Sequence, residues 1–320
     1  MTAGIQEHDN MFYYGQRPWH GMGVEVPDAA TSDEALVAAG LDWEVETREL
    51  FTEHYGEERM NVMVGNYAIV RKDTEEALGV CGSRYHCIQN RDAFELLDGI
   101  VGEKLAMYHT AGSLWNGRKV WMQAKLPEVM RVAGNDILEQ YLLLSTSHDG
   151  SGACSGMFTP ERVVCQNTLN IAMGRATNTF RIRHTTKYKD KMEQAREALG
   201  LAHLYFNRFQ ERADWMARQK FTDIQMQMLA QGLFPAKDEN EVPTRTQNNR
   251  NKVVRLFDQG IGLADFRGTA WAAINAVAEY TDHHRQSRGD EARLNSVWWG
   301  GAAQMKTEAM NRIDTLLKAA

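Results

Sequence analysis

No apolar run in this 320-residue sequence approaches the roughly 20 residues that a membrane-crossing helix requires. The stretch from Met1 to Gly15 has neither the basic cluster nor the apolar segment of a secretory leader, so a cytoplasmic setting is expected. Cysteine is scarce. Cys81, Cys87, Cys154 and Cys165 are the full set, which argues against a disulfide scaffold and fits a reducing compartment. Phosphate-binding loops are missing too: neither G-x-x-x-x-G-K-[ST] nor a strand-linked G-x-G-x-x-G occurs, so ATP-driven work is not expected. There is no overall positive charge, the formal net being -6. Signatures of sequence-specific duplex readers, such as the helix-turn-helix and the zinc finger, are also lacking.

What is present is globular composition, 43% hydrophobic and 24% charged, in a chain long enough for one large domain or two ordinary ones. Charge is unevenly placed. Between Glu161 and Lys220 there are 12 bases and 6 acids, a local excess of +6, so the remainder carries -12. A basic middle in an acidic chain still attracts phosphate, because the field that acts is local.

Thr31-Ser32-Asp33-Glu34 ahead of an apolar run ending at Gly40 predicts a capped short helix. Alternation predicts strands over Trp43–Phe51, Asn61–Arg71 and Ala77–Cys87, then a helix opening at Asn90. Ala106–Ala111 and Lys119–Lys125 flank Asn116-Gly117, a hairpin signal because both residues tolerate positive φ. Tyr141–Ser147 and Ala153–Phe158 follow as strands. From Arg162 the pattern turns helical, with one extended helix expected over Lys187–Gln219. Pro235–Asn251 is polar and contains breakers, and is expected to be a linker or mobile loop. Gly268–Asp282 predicts an amphipathic helix, and Met305–Leu317 a last one. The fold class is therefore α+β: an antiparallel, strand-rich N-terminal half followed by a long basic helix and a helical C-terminal part. The expected divisions are a core over 1–232, a polar linker over 233–252 and a helical part over 253–320.

Catalytic chemistry has weak candidates. Cys81 and Cys87 are too far apart in sequence for the usual paired zinc ligands, and Asp282-His283-His284 stands at a helix end, where histidine is common for electrostatic reasons. Neither a metal nor another cofactor is expected. Cys165 makes a thiolate nucleophile only if the fold brings His148, His184 or His203 to it. Ser151–Gly156 reads as a turn between strands in preference to a nucleophile loop.

The basic middle carries the stronger signal. Arg175, Arg181, Arg183, Lys187 and Lys189 are interleaved with Phe180, His184 and Tyr188, the mixture of cations and flat rings that single-stranded nucleic acid binding uses. Arg162 belongs to the same basic run. Arg118 and Lys119, beside Trp115 and Trp121 at the hairpin, offer a second contact. Asn167 and Asn170 supply amide donors for phosphate or cap a helix. The competing reading is a solvated basic face with its aromatics turned inward.

Three segments carry a resemblance: Trp19-His20-Gly21-Met22-Gly23, the run Arg162-Val163-Val164-Cys165-Gln166-Asn167-Thr168-Leu169, and Gly268-Thr269-Ala270-Trp271 to Tyr280 with His283 after it. Together they resemble the domain-of-unknown-function 932 proteins, a phage- and plasmid-borne family. The order of consecutive strands and then a long basic helix is more remotely similar to single-strand annealing proteins of the Redβ, RecT and Erf type. That second likeness implies ATP-independent annealing of single-stranded DNA by a ring or filament of identical subunits in recombination, with host or phage recombination proteins as further partners. The alternatives from other classes are a mobile-element enzyme using Cys165 or the His283/His284 pair, and an interaction protein that counters host defence.

Overall fold

A computed structural model of the protein describes residues 11–13, 24–25, 31–53, 60–102, 106–162, 167–169, 179–191 and 202–319. Among these residues the chain is α+β, with strands in two sheets, antiparallel except for the β1–β2 pair, followed by a helical C-terminal part. Strands β1 (Met11–Tyr13) and β2 (Val24–Glu25) lie at one edge of a seven-stranded sheet. The sheet continues through β6 (Met107–Leu114), β7 (Lys119–Val132), β8 (Asp136–Ser147), β9 (Cys154–Arg162) and β10 (Thr179–Ile182), in the order β10-β9-β8-β7-β6-β1-β2. A three-stranded sheet is formed by β3 (Val45–Glu53), β4 (Met60–Arg71) and β5 (Ala77–Gly82).

Local chemistry places the first elements where alternation and caps predict them. Helix α1 (Ser32–Ala38) starts with a capping box in which Thr31 and Glu34 satisfy each other's backbone donors. The β6–β7 hairpin turns through Trp115, Asn116 and Gly117, all at positive φ (54°, 59° and 95°). A side chain at Gly117 would collide with the Trp43 ring at 2.8 Å, so glycine is required there.

The large sheet has two different faces because side chains alternate along each strand. Leu142, Leu144, Phe158 and Ile182 enter the main core, covered by helices α2 (Asn90–Gly102) and α3 (Ala202–Arg218). On the opposite face Trp121, Leu143 and Met157 form a smaller cluster with Leu294, Val297, Trp298 and Ala302. These four come from α7 (Asp290–Trp298) and α8 (Gly301–Lys318). Between α3 and α7 in the chain come α4 (Asp223–Leu233), α5 (Thr244–Gln259) and α6 (Ala270–Glu279), the last running into a π turn at Tyr280–His284.

Several expectations are corrected. The strand expected over Ala77–Cys87 ends at Gly82, where Tyr85 turns back to donate its N–H to the Gly82 carbonyl, so Cys81 and Cys87 do not share a strand face. The chain does not become uniformly helical after Arg162. Thr179–Ile182 is a strand paired antiparallel to β9, which places Phe180 and Ile182 against the core and Arg181 on the other face. Residues 244–259 are a helix and not a loop. Val253, Leu256 and Phe257 bury its apolar face, while Arg250 bonds the Phe234 carbonyl and Glu239. Tertiary packing overrides the weak helix propensity of this Asn-rich, polar stretch. Helix α6 is buried on all sides instead of amphipathic. Of the helix expected over Lys187–Gln219, residues 192–201 lie outside the described residues, and Ala202–Arg218 is helical.

Candidate functional site

Where the smaller cluster stops, the second face of the sheet turns polar. Trp121 pairs in register with Ser145, Ser145 with Ser155, and Ser155 with Arg181, a row running across four neighbouring strands. The next row pairs Lys119 with Ser147. Together with α8 and the end of α7 these strands enclose a groove of about 720 Å³, lined by Lys119, Arg181, the four serines 145, 147, 151 and 155, and the rings of Trp298 and Trp299. Gln304, Thr307 and Asn311 of α8 form the opposite wall.

Lys119 is held in place. Its ammonium donates to Asn295 Oδ1 at 2.8 Å and lies 4.4 Å from the centre of the Trp299 ring. Burial lowers its pKa, with the Asp149 carboxylate opposing the shift. An ammonium has three donors, so the Asn295 bond leaves it two for a ligand. Burial raises the Asp149 carboxyl, but hydrogen bonds from Ser147 and Ser151 outweigh this and keep it low. Glu308 at the rim is paired with Arg312 at 2.7 Å, so it does not cancel the two cations of the groove. The arrangement can hold an anion between the two cations and the Trp299 ring.

A second polar centre lies beneath α8. The Thr168 backbone N–H and hydroxyl donate to Asp282 Oδ2 at 2.9 and 2.6 Å, and Lys306 Nζ bonds Asp282 Oδ1 at 3.1 Å and the Thr168 carbonyl at 2.9 Å. Asn167 sits beside it, its amide donating to the Asn275 carbonyl and its Oδ1 facing His283 Nε2 at 3.1 Å. The sequence segments around Asn167 and His283 therefore meet in the interior.

The structure separates the residues expected to bind. Lys119 and Arg181 come together in the groove. Arg118 is exposed on the hairpin, and Arg183, Lys187 and Lys189 are exposed just beyond β10. Tyr188 is buried, its hydroxyl donating to Asp92 at 2.8 Å, and Asn167 is buried in the polar centre. Trp121 is buried against Trp298, while Trp115 keeps part of its ring exposed. Arg162 stands on β9 with its side chain outside the described residues, and Cys165, Asn170 and Arg175 lie wholly outside them. His284 is 3.6 Å from Glu279. Among the described residues no group of three or more His, Cys, Asp and Glu side chains is gathered in a way that would hold a metal ion. Nor, among them, is any helix long and apolar enough to cross a membrane. Of the groove residues, Ser145, Ser147 and Trp299 were not singled out by sequence reasoning, and Ser151 and Ser155 were weighed only as part of a turn or nucleophile loop. Serines at alternate positions 145 and 147, directly after the apolar run Leu142–Leu144, are the signal that marks them.

A family model described as "Domain of unknown function (DUF932)" matches residues 77–298, which include both polar centres up to Trp298 apart from Trp299 and α8. No curated protein and no solved structure matches the chain.

Proposed function

As a chain that belongs to the DUF932 family, this protein, we propose, binds single-stranded nucleic acid in the groove and promotes ATP-independent annealing or recombination of phage or plasmid DNA. The observation that supports this most is that Lys119 and Arg181, from separate strands of one sheet face, line a single groove in which the Lys119 ammonium lies over the Trp299 ring. Single-strand binding needs cations along the backbone and π faces for the bases, without base-edge readout. The exposed Arg183, Lys187 and Lys189 extend the positive surface beyond β10, and Arg118 extends it along the hairpin. Assembly of identical subunits into a ring or filament belongs to the same reading.

Fluorescence anisotropy of a labelled single-stranded oligonucleotide across a salt series, with duplex competitor and light scattering in parallel, tests it. The expected result is single-strand preference with log affinity falling by about 0.7 per phosphate contact for each log unit of salt, from a large oligomer. Equal binding to duplex by a small species would overturn it.

A further inference from the structure

Away from the groove, the same sheet face carries a cluster of charges. Glu139 on β8 pairs in register with Glu161 on β9, so their side chains stand on one face with Cβ atoms about 5 Å apart. Lys125 Nζ lies 2.5 Å from Glu139, and the Tyr141 hydroxyl donates to the same carboxylate. His109 stands against Tyr141 with ring centres 5.1 Å apart. From the helical side, Asp282 of the π turn and Lys306 of α8 bond Thr168, whose backbone bridges that of Glu161.

Among the described residues the charges of this cluster do not balance. Glu139, Glu161 and Asp282 are three carboxyls, and Lys125 and Lys306 are two ammonium groups. Lys125 is committed to Glu139, and Lys306 to Asp282 and Thr168. Burial, reinforced by Lys125, lowers the His109 pKa to about 4, so this ring adds no positive charge near neutrality. Burial first of all keeps Tyr141 a neutral donor. Among the described residues no side-chain hydrogen bond or ion pair reaches Glu161.

We propose that Glu161 is the proton-sensitive element of a latch between the large sheet and the C-terminal helices. Neutral, it lets the cluster close without excess charge. Ionised, it leaves an unmatched negative charge beside Glu139 and Asp282, opposing the contact of α8 and the π turn with the sheet. Burial, then the charges of Glu139 and Asp282, push the carboxyl up to about 8 against the pull of Lys306 and Lys125. Glu161 keeps part of its surface exposed to solvent.

The sign follows from linkage. From an ordinary carboxyl value of 4.5 up to about 8, the unfolded chain releases a proton that the folded chain keeps. Stability therefore falls as pH rises through this window and then levels. Urea unfolding of the full chain and of Glu161→Gln at pH values of about 5, 7 and 9 should show a wild-type unfolding constant rising by up to about tenfold per pH unit relative to the variant. Parallel pH profiles would overturn the latch. Infrared difference spectra of the wild type give a second test that needs no variant. A protonated carboxyl must lose its carbonyl band as pH passes about 8, and absence of such a band near neutrality would equally overturn it.

Discussion

Asp282 and Lys306 meet 3.1 Å apart with neither side chain exposed to solvent, and Thr168 bonds both. Such a pair contributes little net stability, yet breaking it strands a charge. Lys306→Met alone is expected to lower unfolding stability by about 3–5 kcal/mol. Lys306→Met combined with Asp282→Leu should recover part of that loss, because no isolated charge remains. Chemical denaturation of the single and double variants checks this.

Groove cations should register in the salt dependence of binding. Lys119→Ala and Arg181→Ala are each expected to reduce the single-strand salt slope by about 0.7. Arg267→Ala, at an exposed position paired with Asp258, should leave it unchanged. Equal slopes for all three variants would remove the groove from the binding surface.

The adjacent tryptophans should separate binding from folding. Trp299, beside Lys119, should quench in fluorescence when an oligonucleotide binds, and Trp299→Ala should weaken binding by about 1–3 kcal/mol. Trp298 packs edge-on against Trp121 at 4.8 Å, and Trp298→Ala should instead lower stability by about 3–5 kcal/mol. Anisotropy and thermal melts distinguish the two.

Acid should destabilise the fold through two enclosed imidazoles. Burial first, with the neighbouring His184 adding to it, lowers His148 to about 3, and burial lowers His184 to about 4. Below an ordinary value of 6.5 the unfolded chain takes up protons that the folded chain refuses. Stability is therefore lost as pH falls from 6.5 toward 4. Melts across that range should slope downward toward acid, and His184→Gln should flatten part of the slope.

A substitution that touches no charge should also weaken binding. A Cβ at Gly156 would collide with the Phe180 ring and meet a Leu144 methyl at 2.6 Å. Gly156→Val should displace β10 and with it Arg181. Single-strand affinity is expected to fall toward that of Arg181→Ala, with the sheet otherwise retained by circular dichroism.

Much of this architecture was legible in local patterns. Thr31 with Glu34 announces a helix start, Asn116-Gly117 announces a hairpin, and alternation announces β3, β4 and β7. Strand β10 was hidden because Phe180-Arg181-Ile182 is too short to show a period, and only the free edge of β9 makes it a strand. Helix α5 was hidden because its polar residues face solvent and its fixing contacts, Arg250 to Phe234 and Glu239, lie outside its own span. For the candidate site, charge density pointed to Lys119 and Arg181. It also singled out Tyr188, which the fold buries, since composition does not say which ring turns inward. The groove depends on pairings across four strands, and no single stretch of sequence displays them.

The strand order has a kinetic consequence. From β6 to β9 each strand is laid beside the one just before it, so this meander can assemble by short-range closures soon after collapse. The opposite edge differs: Met11 pairs with Gly112, and that contact must wait for a far larger loop to close. The floor of the groove therefore belongs to the part of the sheet that forms early, while its walls arrive with the last two helices. A refolding chain should acquire protected amides in β7 and β8 before the Trp299 signal reaches its native value.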